Sequence, residues 1–447
     1  MRRRFLVVIM VCAAALGSVC ASANPGIEQW TTSQGTAVYF VAAPEIPILD
    51  LRLVFAAGSA RDGDRPGVAA LSNALLDEGS AEHDADDFHA RLEATGAMLG
   101  TGVMRDMAWI SLRSLTAEPQ RSTALALLAE LLRGPRFDEA GFTRQREQAI
   151  AALKQAEESP GTLGGRAFFR ALYGEHPYGA PVNGTPDGVA RLTREDVIAF
   201  HRRHYVARNM TIALVGALSR AEAEALATRL ADELSPGEPA PALPPLAPYE
   251  ASTVHLEFAS AQSHVFVGQR GIAREDPDYF PLVVANHVLG GNGVVSLLFE
   301  EIREKRGLSY SVESHFEPMA LQGPYMATLQ TSNEQRDAAV KLLRKQIAQY
   351  VAEGPREADF DAAKRNLIGG FPLRIDNNSK IVENLAVIGF YRLPLDWLDT
   401  YTQKVQAVTR EQAMDAARRR LDPAHMVQIT VGRRAGAPAT DATHAAP

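Results

Sequence analysis

The stretch TREDVIAFHRRHYVARNMTIALVG, residues 193–216, is matched by TREQAMDAARRRLDPAHMVQITVG, residues 409–432. Thr193-Arg194-Glu195 recurs as Thr409-Arg410-Glu411, an offset of 409 − 193 = 216. The same offset carries Arg202-Arg203 to Arg418-Arg419, Met210 to Met426 and Val215-Gly216 to Val431-Gly432. A constant offset over a whole helix-then-strand unit reads as an internal repeat, so the chain is two copies of one architecture. Within the first copy, His201-Arg202-Arg203-His204 reads as one solvated helix face.

Working outward, the copies are separated by a proline-rich segment, residues 235–250, which holds Pro236, Pro239, Pro241, Pro244, Pro245 and Pro248. Proline fixes φ and removes a donor, so an extended, semi-rigid linker is expected here. The domains are then residues 24–234 and 251–433. Residues 434–447, rich in Ala, Pro and Thr, read as a disordered tail. Leu49 to Phe55 alternates as a half-buried strand, and Met107 to Leu115 and Met210 to Val215 also read as strands. Gly67 to Glu78, Ala85 to Thr95 and Pro119 to Leu132 have helical spacing. Strands and helices do not strictly alternate. The expected class is therefore α+β: two homologous domains, each a mostly antiparallel sheet with helices packed on it.

The chain opens as a secretory signal. Arg2, Arg3 and Arg4 precede an apolar run from Phe5 to Leu16, and Ala21-Ser22-Ala23 offers a small-x-small cleavage site, which places residues 1–23 in a signal peptide. An exported, periplasmic location follows as an expectation. Cys12 and Cys20 are the two cysteines, and both lie in that segment. The mature chain then has no disulfide, thiolate ligand or cysteine nucleophile. Losing three arginines takes the formal charge from −7 to −7 − 3 = −10. An acidic chain of this kind is no partner for nucleic acid, which needs clustered positive charge. No later segment has the ~20 apolar residues of a membrane span.

The segment Gly67-Val68-Ala69-Ala70-Leu71-Ser72-Asn73-Ala74-Leu75-Leu76-Asp77-Glu78-Gly79 reads as an amphipathic helix with Val68, Leu71 and Leu75 on one stripe. Ala70 and Ala74 share a face four residues apart, with Asn73 beside them. The neighbouring Asp77, Glu78, Glu82, His83, Asp84, Asp86, Asp87 and His89 read as a solvated loop and helix start, with Asp84 or Asp86 as a cap; a divalent-cation site is the alternative.

Here the sequence resembles the pitrilysin/insulinase metallopeptidase family. The helix looks like the one that carries His-x-x-Glu-His there, with zinc on the two histidines and water activated by the glutamate. The matching positions are Ala70, Asn73 and Ala74, and none supplies a zinc ligand or a carboxylate base. The family's third ligand, a glutamate on a later helix, would fall in Ile150 to Ala152, which holds no acid. Other marks are His176-Pro177-Tyr178-Gly179, Asn183-Gly184-Thr185, and the string from Leu298 to Val312 containing Arg303, Gly307 and Tyr310. Asn292 and Leu297 depart from the family pattern, where relatives often have Gly and Arg.

The resemblance implies that Arg303 and Tyr310 face a zinc site across a cavity, Arg303 holding the substrate backbone and Tyr310 stabilising an oxyanion. On the residues alone, Arg303 would complement a helix dipole and Tyr310 would pack in a sheet. The local expectation is a helix ending near Gly307, then a strand from Leu308 to Phe316. What the resemblance implies as a whole is a heterodimer: a pseudoenzyme inactive alone and free of metal, beside a zinc-bearing subunit of the same family, acting in proteolysis on peptides. A non-enzymatic scaffold or peptide-binding subunit is the alternative.

Overall fold

The computed structural model describes residues 26–291 and 293–434. Residues 1–25, which include the expected signal peptide, lie outside the described residues, as do Asn292 and residues 435–447 of the expected tail. The first sheet is built from β1 (Glu28–Thr31), β2 (Ala37–Ala42), β3 (Ile48–Phe55), β4 (Met98–Val103), β5 (Ala108–Leu115) and β6 (Met210–Gly216), in the order β1-β2-β6-β3-β5-β4. The second uses β7 (Thr253–Glu257), β8 (Gln262–Arg270), β9 (Val312–Phe316), β10 (Pro324–Ser332) and β11 (Val427–Gly432), in the order β7-β11-β8-β10-β9. Each sheet has one parallel pair, β2 with β6 and β7 with β11, and is otherwise antiparallel.

Helices of the first half are α1 (Val68–Ala74), α2 (Ala85–Ala94), α3 (Gln120–Arg133), α4 (Glu139–Glu157), α5 (Pro160–Tyr173), α6 (Pro186–Ala190), α7 (Arg194–His204) and α8 (Arg220–Asp232). Those of the second are α9 (Tyr279–Asn286), α10 (Arg336–Glu353), α11 (Glu357–Gly370), α12 (Asn378–Phe390), α13 (Trp397–Ala407) and α14 (Arg410–Arg420). The repeated Thr-Arg-Glu triplets open α7 and α14. Thr193 and Thr409 are both N-caps, and each closes a reciprocal capping box, with Asp196 and Gln412. The equivalent strands β6 and β11 follow.

Alternation in β3 explains how the halves meet. Leu49, Leu51, Leu53 and Phe55 enter the core of the first half. Val54 points the other way, into a core shared with the second half. On that face Arg52 lies over the Trp109 ring at 4.5 Å and reaches Glu383 at 3.8 Å. The helix covering this face is α12, from the second half. Conversely, α5 of the first half covers β8 and β11 of the second sheet, with Phe168, Phe169 and Leu172 packed among Phe266, Val427 and Ile429. α12 begins within two residues of 160 + 216 = 376, the position equivalent to the start of α5. Each half therefore lends the same helix to its neighbour. Both helices carry a glycine where a Cβ would strike the borrowed sheet: Gly164 meets the Phe266 ring at 2.1 Å and Gly389 meets Tyr39 at 2.7 Å. Burying one such aromatic side chain contributes about 1.5–3 kcal/mol.

Asp106 pins this interface. Its Oδ1 accepts from the Tyr178 hydroxyl at 2.5 Å, and its Oδ2 accepts from the Tyr391 hydroxyl at 2.9 Å and the Ala320 N–H at 2.8 Å. Residues 235–250 are extended and mostly exposed, but strapped down rather than free. Arg61 donates to Pro241 O at 2.6 Å, Arg270 to Ala247 O at 2.6 Å, and His176 Nε2 lies 3.0 Å from Pro244 O. An extended, proline-rich segment makes no internal backbone hydrogen bonds, so the carbonyls of Pro241, Pro244 and Ala247 are open to such donors. No helix among the described residues is long and apolar enough to cross a membrane.

Candidate functional site

α1 starts at Gly67, which is left-handed at φ 92 and abuts Gly184 so closely that a Cβ on Gly184 would come within 2.8 Å of Gly67 Cα. Asp62 caps the first turn: Oδ2 accepts from Gly67 N at 2.7 Å and Oδ1 from Ala69 N at 2.9 Å. Burial pushes its carboxyl up to about 7, against the pull of those two donors. The helix ends at Ala74, and Leu75–Asp77 tighten into a 3₁₀ turn.

Ala70 and Ala74 face α4 across a crevice of about 680 Å³. Asn73 does not. It is buried on the other side of α1, where its amide donates to Trp109 O at 3.3 Å and the Tyr205 hydroxyl at 3.2 Å. The expectation that Asn73 sits beside the two alanines holds along the helix but not in space. On α4, Ile150 packs against the first core, Ala151 faces solvent, and Ala152 lines the crevice with Gln148 and Ala149. Zinc takes thiolate, imidazole or carboxylate donors. The crevice offers methyls, amides and guanidinium groups, so this donor set does not fit a zinc ion.

The acidic cluster is consumed by internal partners. Asp84 caps α2, Glu82 pairs with Arg133 at 2.8 Å, and Glu78 is held by Arg144 and by Gln145 at 2.5 Å. His83 bonds Asp87 at 2.7 Å, and His89 lies 2.9 Å from Asp77 O. Among the described residues no group of three or more His, Cys, Asp or Glu is arranged around a metal position. The His201–His204 run is not one solvated face either. Arg202 and Arg203 are exposed, but His204 is buried against Phe200 at 4.6 Å and His201 stacks on Tyr205 at 4.7 Å. Burial lowers the His204 imidazole to about 4.

In the second half, Phe299–Glu304 forms a widened, π-type turn that closes at Gly307, φ 60, whose N–H donates to Arg303 O at 2.9 Å. The strand expected from Leu308 starts only at Val312. Ser309 explains the delay: its hydroxyl lies 2.6 Å from both Ser311 O and Gln330 O, holding residues 308–311 off the regular ladder. Tyr310 thus projects from an irregular link, 77% exposed, rather than packing in the sheet. Arg303 lies 4.5 Å from the Tyr310 ring centroid and 4.7 Å from that of Phe299. The neighbouring acids are already engaged, Glu301 with Lys305 and Arg306, and Glu300 with Lys305 and Arg356. Among the described residues, the Arg303 guanidinium has no ion pair and the Tyr310 hydroxyl no hydrogen bond.

One polar group that the sequence does not announce is Arg105. It lines the α1–α4 crevice and also a second cavity of about 480 Å³ that lies between the halves and includes Arg52, Arg274 and Glu317. Its seat is made by Phe169 and Tyr178, 64 and 73 residues on (169 − 105 and 178 − 105), so no local pattern marks it.

Residues 38–186 match the model of the insulinase family, peptidase family M16, and residues 191–367 match that of the peptidase M16 inactive domain. The crystal structure of a peptidase M16 inactive domain from Pseudomonas fluorescens is 40% identical, with a TM-score of 0.88 over 91% of this chain and 98% of that one. An uncharacterized zinc protease of Streptomyces coelicolor is 26% identical over 375 residues, 80% of each chain. The non-peptidase homolog YmxG of Helicobacter pylori is 26% identical over 385 residues, 83% of this chain and 85% of that one.

Proposed function

The chain belongs to the insulinase family, peptidase family M16, and from that membership we propose that it is the zinc-free partner subunit of an exported two-chain peptidase. Zinc and the general base come from the other chain, a zinc-bearing subunit of the same fold. This chain binds the peptide and stabilises charge on it. The observation that carries the reading is the pairing of Arg303 with Tyr310: a cation with no ion pair and an exposed hydroxyl with no hydrogen bond among the described residues, side by side in a chain with alanine at positions 70 and 74. Arg303 holds a backbone carbonyl of the peptide by charge-assisted hydrogen bonds. Tyr310 donates its O–H to the carbonyl oxygen as negative charge develops there. One such donor is worth about 3 kcal/mol in a transition state. Cleavage after Ala23 completes the proposal of export, and amino-terminal sequencing of the secreted form should begin at Asn24.

The name of the Helicobacter relative favours a second reading, a scaffold or peptide-binding subunit without a catalytic role. One experiment separates the two. The chain is mixed with a zinc-bearing subunit, assembly is verified by size, and cleavage of an unstructured peptide is followed. Tyr310→Phe removes a hydroxyl and little volume. The partner reading expects kcat to fall about 10²-fold with assembly unchanged. Arg303→Ala should also raise KM, because a cation that binds the ground state is lost. Full activity in an assembled Tyr310→Phe complex would establish the scaffold instead.

A further inference from the structure

We propose that the crevice between α1 and α4 binds the carboxyl-terminal end of a peptide whose last side chain is apolar. The proposal concerns this chain alone and does not depend on a partner or on cleavage. The walls are alanine methyls and the side chains of Leu71, Leu153 and Phe169, a surface suited to an apolar group. The charge on those walls is all of one sign: Arg105 and Arg166 are present, and no carboxylate lines the space.

Arg105 is the anchor. Its guanidinium lies 3.5 Å from the Phe169 ring centroid, and its Nε donates to Tyr178 O at 3.1 Å. Among the described residues its two Nη nitrogens make no hydrogen bond, and no carboxylate comes within ion-pair range. The acids that act on it through space are Glu317, which lines the neighbouring cavity, and Asp106. Both oxygens of Asp106 are already taken by Tyr178, Tyr391 and Ala320, and Glu317 acts only through space, with no hydrogen bond or ion pair to Arg105 among the described residues. A half-buried guanidinium left with one neutral hydrogen-bond acceptor favours an incoming anion, and its fork matches a carboxylate. Arg166, the other cation of the lining, is paired with Glu157 at 3.3 Å, so Arg105 is the cation that faces the crevice without an ion pair among the described residues. The side-chain amides of Gln148 and Asn183, at the crevice and unbonded among the described residues, offer both donors and acceptors. Those suit a peptide backbone, whereas an acyl chain would leave them unused.

The test uses the full mature chain and fluorescence anisotropy. The probe is an amino-terminally labelled Ala-Ala-Ala-Leu-Phe peptide, as free acid and as carboxyl-terminal amide, with laurate as competitor. The free acid should bind at least ~10-fold more tightly than the amide, the scale of one hydrogen-bonded charge pair. Arg105→Gln should bring the acid down to the amide's affinity and leave the amide unchanged. Ala152→Trp, which fills the crevice from its exposed side, should abolish both, while Ala151→Trp, one residue round the helix, should abolish neither. Circular dichroism checks each variant. If Arg105→Gln does not fold, the two tryptophan variants and the acid-amide difference still decide. Equal affinity for acid and amide, or binding that survives Ala152→Trp, overturns the proposal. So does laurate displacing the peptide at lower concentration than the unlabelled free acid, which would make this a lipid site.

Discussion

The crevice between α1 and α4 has a counterpart in the second half, between α9 and α11, and the two have met opposite ends. The offset of 216 carries Ala70 to Asn286 and Ala74 to Gly290. In the second half that position is filled from within. Asn286 donates to Ser314 O at 2.8 Å and accepts from Ser314 Oγ at 2.7 Å, and a Cβ on Gly290 would lie 2.4 Å from the same hydroxyl. Tyr279, His287 and Arg374 crowd in, and about 200 Å³ remains. In the first half, alanines leave about 680 Å³. Interiors are normally packed to crystal-like density, and a void forfeits contacts. One copy is thus closed by its own side chains, while the short side chains of the other leave it open.

The sharpest break of this comparison is a pair of lining substitutions. Leu282→Ala in the closed copy, where Leu282 is 1% exposed, should cost about 3 kcal/mol in urea denaturation. Ala152→Leu in the open copy should stay within ~0.5 kcal/mol. Equal costs would mean that both crevices are core. Next in size is Asn73→Leu, which takes a buried partner from the Tyr205 hydroxyl and should cost about 2 kcal/mol by the same assay.

Acid separates the copies further. His204 is matched at 204 + 216 = 420 by Arg420, which pairs with Asp276 at 2.8 Å and with Asp278 at 2.6 Å. The folded His204 imidazole sits at about 4 against 6.5 unfolded. Its contribution is therefore present above 6.5 and lost as pH falls toward 4, at about 1.4 kcal/mol per unit. Arg419 and then Arg420 hold Asp278 below 3.8, so its contribution is kept until pH falls under that value. Exchange protection of α7, corrected for intrinsic rates, should drop between pH 6.5 and 4 while that of α14 holds. The smallest expected effect is that of a chelator: EDTA should leave Tm unchanged, and dialysis against trace zinc should leave the chain far below one zinc by elemental analysis. One tightly held zinc would mean that the open crevice, or another site, still binds metal.

Local signals were legible in the chain. The two Thr-Arg-Glu triplets became matching capping boxes because a cap is made within four residues. The alternation of β3 and the stop at Gly307 are equally short-range. Residues whose surroundings are distant were not legible. Asn73 turns inward because Trp109 and Tyr205 wait there, 36 and 132 residues away. Tyr310 leaves the sheet because Ser309 bonds Gln330, 21 residues on. The histidines of the basic run pack inward because Phe200 and Tyr205 offer ring faces, which charge patterning alone does not weigh.

The exchange of α5 and α12 governs when this chain can fold during synthesis. The first sheet is complete once Gly216 has been made, yet the helix that covers its second face ends at Phe390, 390 − 216 = 174 residues later. At roughly 5–20 residues per second on the ribosome, that leaves an apolar sheet face open for on the order of ten seconds. Throughout that interval Tyr39, Val41, Val54, Ala213 and Val215 of the nascent amino-terminal half wait without the helix that will bury them.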